Sequence, residues 1–219
     1  MNRPNTENYL QYASISIAHN SNKLDYFGIS STSTFLKRAI DVVLSFAILA
    51  FSAPFLVIIA IVIKLSRYGT IIFSQKRVGQ NGEIFRLYKF RTLYDNADPY
   101  AITPTKDSDP RITPVGKFLR DTGLDELPQL INVLRGEMSI VGPRPEMEFI
   151  VRNYSLFEKT RLLVKPGVTG LWQLHADRTK PIHENLDYDL HYIENYSLFL
   201  DFTLIMETAL FILKKIIKF

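Results

Sequence analysis

Cysteine is absent from all 219 residues, which excludes a disulfide framework, a thiolate metal site and a cysteine nucleophile. Tryptophan occurs once, and Trp172 reads as packing rather than as a stacking platform for a base. The four histidines, His19, His175, His183 and His191, show no HExxH pattern. His183 and His191 are too far apart for an i, i+4 pair, so all four read as non-catalytic. No internal repeat is present. The N-terminus has no basic group followed by an apolar core, so no secretory leader is expected. With histidine and cysteine set aside, chemistry has to come from carboxylates, lysine, arginine or hydroxyls.

What the chain does have is apolar surface and a mild positive charge. Its hydrophobic fraction is 47% and its mean hydropathy +0.02, high for a soluble protein and low for a polytopic one. One membrane-embedded element on a soluble body fits both. A net charge of +4 and a pI near 9.2 suit an anionic bilayer or a phosphate-rich substrate. No nucleic-acid motif accompanies the charge, and nucleic acid is set aside as a partner.

Charge is missing altogether from Val42 to Ile63, a run of roughly 22 residues, just enough to span a bilayer as one straight helix. Pro54 interrupts it near the middle, preceded by Ser52 and Ala53. Lys37 and Arg38 precede the run while Lys64 and Arg67 follow it, so positive flanks give a through-going helix no preferred orientation. A segment that enters, turns at Pro54 and returns keeps all four charges on one side. Its freed carbonyls would be met by the Ser52 hydroxyl. This re-entrant hairpin is the reading preferred over a plain span or a buried core helix.

The residues before it, 1–34, are rich in Asn, Ser and Thr and read as a polar, poorly ordered extension. After it, IIFSQKRVGQNGEIFRLYKFRTL reads as strand, turn, strand, with Asn81-Gly82 as the turn. Residues 95–112 read as a loop. Thr113 caps a short helix with Pro114 at its first position, and Asp125 can cap a second helix reaching Gly136. Ser139–Val141 is expected as a brief strand running into GPRP. A helix around 146–160 and a strand after Lys165-Pro166-Gly167 follow. From Glu184 onward the pattern is helical, and the last apolar stretch, interrupted by Asp201 and Glu207, reads as a helix lying on a membrane surface.

Arg120–Glu146, RDTGLDELPQLINVLRGEMSIVGPRPE, carries the chemistry. Asp125 and Glu126 stand side by side at a helix start, where acidic residues also serve as ordinary caps. Carboxylates can hold a divalent cation or attack phosphorus, and the positive helix start suits an arriving phosphate. Arg144 lies between Pro143 and Pro145, which stiffen the backbone and push it out of the α region. Arginine there is either a surface turn residue or a bidentate phosphate ligand. Lys89 and Arg91, with Arg86 nearby, form a basic cluster with aromatic neighbours, which reads either as a solvated strand edge or headgroup-facing surface or as a phosphate site.

Taken together, KRAIDVVL, the proline-broken apolar run, VGQNGEIFRLYKFRTL, DPRITPVGKFLR, LDELPQLINVLRGEMSIVGPRPE, KPGVTGLWQ and DLHYIENYSLFLD resemble the bacterial sugar transferases, the monotopic phosphoglycosyl transferases, from about Phe35 to the C-terminus. The resemblance implies an α-rich α/β fold. A re-entrant membrane helix (35–68) would join a compact cytoplasmic catalytic domain (69–197), followed by a membrane-surface helix (198–219). It implies transfer of a sugar 1-phosphate from a UDP-sugar to polyprenyl (undecaprenyl) phosphate at the bacterial inner membrane. The products would be polyprenyl-diphospho-sugar and UMP, the first step of capsule, exopolysaccharide, O-antigen or glycoprotein glycan assembly. Asp125 would be the nucleophile and a ligand of Mg²⁺. Glu126 would steer the metal or a proton, and Arg144, Arg120, Lys89 and Arg91 would hold phosphates. Ser52 and Pro54 would make the membrane break. Ala53 stands where the family has serine, Gly123 where it has serine, Tyr196 where tryptophan is common, and Asp177-Arg178 where Gly-Arg is frequent. Self-association stays open. A non-catalytic membrane-anchored scaffold, or a lipid-phosphate phosphotransferase that uses no sugar nucleotide, are the rival readings.

Overall fold

The computed structural model describes residues 31–66, 69–101, 104, 108–176 and 185–217. The extension expected over 1–34 lies outside them up to residue 30, as do His19, His183 and the Asp177-Arg178 loop. Residues 31–34 are already helical.

The apolar run forms α1 (Ser31–Leu65), which stays helical across Pro54. The expected interruption of secondary structure is therefore not there. Proline lacks the N–H that would reach Ala50 one turn back, and Ser52 does not cover that carbonyl: its hydroxyl donates to Ile48 at 2.6 Å instead. At 1.5 Å per residue a straight helix of this length spans about 52 Å, yet both of its ends rest on the same globular body. Near the N-terminal end Lys37 meets Asp201 at 2.6 Å. Arg38 donates to the carbonyls of Val133 and Leu134, and Asp41 accepts the Ile140 N–H at 3.0 Å. Near the C-terminal end Ile59 and Ile63 bury against Phe90 and Leu119. Between them Phe46, Phe51, Val57 and Ile58 are exposed, Phe51 to 92%.

β1 (Ile72–Val78) and β2 (Ile84–Phe90) pair antiparallel through the expected turn. Asn81 takes φ 57° there, a left-handed conformation that asparagine tolerates. Residues directly opposite in such a pair share a face, so Phe73, Gln75 and Arg77 of β1 lie with Lys89, Leu87 and Phe85 of β2. That face turns inward. Phe90, on the other face, meets α1.

Thr113 accepts from Gly116 N–H and caps α2 (Pro114–Thr122), as its sequence predicts. The next helix, α3 (Gln129–Arg135), starts later than expected, with Pro128 at its cap position. β3 (Ser139–Val141) pairs in parallel with β4 (Gly167–Thr169). The helix expected over 146–160 is two short pieces, α4 (Glu148–Val151) and a 3₁₀ turn at Glu158–Leu163. Ser155 and Glu158 explain the restart: the serine N–H and hydroxyl both reach the Glu158 carboxylate at 2.6 Å, a capping-box arrangement. The strand expected after Pro166 is likewise cut short, for α5 (Leu171–His175) begins directly after Gly170. α6 (Leu186–Glu194) and α7 (Leu198–Ile217) complete the chain. α7 turns Asp201 and Leu204 to the body and leaves Phe199, Phe202, Met206, Leu210 and Leu213 exposed.

The main core gathers Phe85, Leu87, Leu130, Val133, Met138, Val141, Tyr192, Ile193 and Leu204, each contributing about 1.5–3 kcal/mol on burial. It locks the β1–β2 hairpin, α3, β3, α6 and α7 together and so fixes the loops that carry charge.

Candidate active site

Three segments bring the charged side chains to one place. The first is the turn after α2. Gly123 takes φ 75° and ends that helix, a conformation that costs a side-chain-bearing residue more than glycine. The chain then makes a 3₁₀ turn, Leu124–Glu126. Asp125 is thus not the cap of α3, a correction to the sequence expectation. The residue is only 6% exposed, and its carboxylate makes no hydrogen bond or ion pair among the described residues, which leaves it available for chemistry. Glu126, its neighbour, pairs with Arg144 at 3.0 Å.

The second segment is β2. Period-two alternation places Lys89 on the inward face with Phe85 and Leu87, half-buried and within electrostatic range of both carboxylates. Burial lowers its pKa, and Asp125 and Glu126 oppose that shift. The third is the loop from Gly142 to Glu146, which carries Arg144. Glu126 holds the Arg144 guanidinium above its ordinary value, against the cost of burial. Gly142 meets Gly167 and Gly170 where β3 and β4 turn, and a Cβ on any of the three would overlap backbone.

These neighbours set the protonation of Asp125. Burial and the adjacent Glu126 carboxylate push its pKa up to about 6, against the pull of Lys89, Arg120 and Arg144. Arg120, at the end of α2, donates to the Pro104 carbonyl at 2.7 Å. With Lys89, Gln75, Phe73, Tyr94 and Arg111 it lines a shallow cleft, of which Lys89 and Arg120 are the members that act electrostatically on Asp125. Arg91 lines that cleft too, but its guanidinium is engaged by Thr70 and by Asp95 at 2.9 Å. It therefore stands apart from the charge cluster, and Arg86 points outward. Ser52 and Pro54 lie in α1.

Arg77 and Gln75 escaped the sequence analysis. Both are buried on the inward face of β1, and Arg77 donates to Gln75 Oε1 at 2.8 Å and to the Pro145 carbonyl at 3.3 Å. Burial, then the nearby Arg144, lowers the Arg77 pKa to about 10, against Glu146 and Glu126. The signal was in the alternation: inward positions occupied by Gln, Arg and Lys among Phe and Leu.

No group of three or more His, Asp or Glu side chains gathers as a metal cage among the described residues. Two adjacent carboxylates beside a cluster of basic side chains do fit a magnesium-like ion, which binds through one or two carboxylates, substrate phosphates and water.

The family model for bacterial sugar transferases matches residues 32–215. The chain is 38% identical over 188 residues to the exopolysaccharide production protein ExoY of Sinorhizobium fredii, covering 78% of this chain and 83% of that protein. It is 39% identical over 193 residues to the UDP-glucose:undecaprenyl-phosphate glucose-1-phosphate transferase of Escherichia coli K12, covering 83% and 41% respectively. With the undecaprenyl-phosphate galactose phosphotransferase of Salmonella typhimurium it shares 38% identity over 200 residues, or 84% and 42%. The chain spans less than half the length of these two enteric proteins.

Proposed function

This chain belongs to the bacterial sugar transferase family and is a phosphoglycosyl transferase, and we propose that it moves a sugar 1-phosphate from a UDP-sugar to undecaprenyl phosphate through a covalent intermediate on Asp125. The observation that carries this reading is the state of that one side chain: buried, without a hydrogen-bond partner among the described residues, and surrounded by Lys89, Arg120 and Arg144.

In the first half-reaction an Asp125 carboxylate oxygen attacks the phosphorus bonded to the sugar. A P–O bond forms to the aspartate, the bond to the bridging oxygen breaks, and UMP leaves with that oxygen and its electron pair. In the second, an oxygen of the lipid phosphate attacks the same phosphorus. The bond to Asp125 breaks, which frees the carboxylate and yields the polyprenyl-diphospho-sugar. Splitting one hard displacement into two is the usual advantage of covalent catalysis. Lys89, Arg120 and Arg144 offset the repulsion between an anionic nucleophile and an anionic electrophile. Glu126, tied to Arg144, keeps the second carboxylate beside the first. Asp125 and Glu126 would hold a Mg²⁺ ion arriving with the donor, and that ion supplies charge neutralisation of the diphosphate.

A lipid acceptor requires the site at headgroup depth. The exposed apolar faces of α1 and α7 support that placement, and the resting of both α1 ends on one body supports a re-entrant course rather than a span. Inner-membrane attachment with the site toward the cytoplasm follows from this reading.

The test is UMP release from purified protein with Mg²⁺, undecaprenyl phosphate and a panel of UDP-sugars. One donor should release UMP in a lipid-dependent manner, and Asp125→Asn should lower the rate on the order of 10⁴-fold. Intact mass after quenching with donor alone should show a sugar-phosphate adduct, lost in Asp125→Asn. Turnover without any adduct, or no UMP from any donor, would overturn the proposal.

A further inference from the structure

Two prolines flank Arg144, so the loop around it lacks the N–H groups of Pro143 and Pro145 and can be anchored chiefly through its carbonyls. All four from Pro143 to Glu146 are taken. Gly167 N–H donates to Pro143 at 2.9 Å and Val78 N–H to Glu146 at 2.9 Å, both ordinary backbone contacts. The middle two are held by side chains: Arg77 reaches the Pro145 carbonyl, and Arg161 donates from Nη2 to the Arg144 carbonyl at 2.7 Å.

Arg161 is an unusual residue to find there. It is 3% exposed, and its charge is answered from a distant element, by Asp189 of α6 at 2.8 Å, itself 2% exposed. Its other terminal nitrogen donates to the Tyr154 hydroxyl at 2.7 Å. Burying both ions carries a large desolvation penalty, so such a pair rarely adds stability over apolar packing. A methionine and a leucine would fill the space. They would not hold a carbonyl.

We propose that the buried Arg161–Asp189 pair is the positioning device for Arg144: Asp189 and Tyr154 orient the Arg161 guanidinium, which clamps the Arg144 backbone so that its side chain stays against Glu126 and toward the donor diphosphate. Arg161 touches no reacting atom and acts only through Arg144. This rests on the reading of Arg144 as a phosphate ligand. It adds that α6, remote in sequence from the acidic turn, governs donor affinity.

The experiment is a double-mutant cycle on donor kinetics with Arg161→Lys, Arg144→Ala and the two combined, alongside thermal melting. Lysine keeps a charge beside Asp189 but cannot serve Asp189, Tyr154 and the Arg144 carbonyl together. Arg161→Lys should raise the donor KM about tenfold with kcat changed less than about threefold. In the Arg144→Ala background the same change should have almost no further effect, since coupled residues are non-additive. Equal losses in both backgrounds would overturn the proposal and leave Arg161 a structural residue, with the role of Arg144 intact. A donor KM unchanged in Arg144→Ala would overturn the phosphate role of Arg144 and the clamp with it. If Arg161→Lys does not fold, Tyr154→Phe, which removes only the hydroxyl, is carried through the same cycle. There an about threefold rise in KM that vanishes in Arg144→Ala supports the clamp, and an additive one overturns it.

Discussion

Asp125, with a pKa near 6, is about nine-tenths ionised at pH 7 and mostly protonated at pH 5. Only the carboxylate attacks phosphorus, so kcat/KM should fall on the acid side with an apparent pKa near 6. Glu126→Gln removes one of the two causes that raise it. The acid limb of the residual activity should therefore move to lower pH; a limb left in place would count against Glu126 as that cause. The same shift has a consequence for stability. A carboxyl whose pKa is raised on folding binds its proton more tightly in the folded state, so its stabilising contribution is full below pH 4 and lost as pH rises to about 6. Asp125→Asn should then be more stable than the parent at pH 7.5, by about 2 kcal/mol, with the gain disappearing near pH 4. Melting curves at the two pH values check this.

Among the elements, α1 and α7 are joined by charge where apolar packing would serve adhesion alone. Lys37 bridges Asp201 and the Val141 carbonyl, and Tyr192 donates to the other Asp201 oxygen at 2.7 Å. The β3 strand end that opens into the Arg144 loop is thus tied to both helices that expose apolar faces. Asp201→Asn leaves Lys37 buried without its counter-charge and should cost about 3–5 kcal/mol, whereas Lys37→Met with Asp201→Leu should cost much less. Chemical unfolding of the single and double variants in detergent measures both. Just past the end of β3, a Cβ in Gly142→Ala would overlap the Lys165 carbonyl and the Gly167 backbone at the start of β4. It should impair both stability and donor use, because the loop and the core share that contact.

At the scale of the molecule, the question is on which side of the bilayer the two ends of α1 lie. With no cysteine in the chain, single cysteines at Asn20 and Gln80 are unique labels. Both should react with an impermeant maleimide only when the cytoplasmic face is open to it. Reaction from opposite faces would eliminate the re-entrant course and, with it, the placement of the acidic turn at headgroup depth.

Local chemistry made several features legible from the amino-acid order. Asn81-Gly82 specified the hairpin through left-handed backbone, Thr113-Pro114 specified a helix start, the uncharged run specified a long apolar helix, and Asp125, Glu126 and Arg144 stood out by residue type and proline context. Each depends on neighbours in the chain, which is why a sequence can determine it. The unbroken helix at Pro54 and the late start of α3 were decided otherwise. Burial of Ile59 and Ile63 against the body, a contact between distant segments, accompanies the first, while the second follows from the left-handed turn at Gly123, a glycine preference outweighed in the sequence by the capping signal of Asp125. Tertiary packing alone decided which carboxylate stays free, since only the folded chain brings Arg144 to Glu126 and leaves Asp125 without a hydrogen-bond partner among the described residues. It also decided that Arg161 and Asp189, ordinary charges in the sequence, are buried together behind Arg144, because a contact between distant segments has no signature in either one.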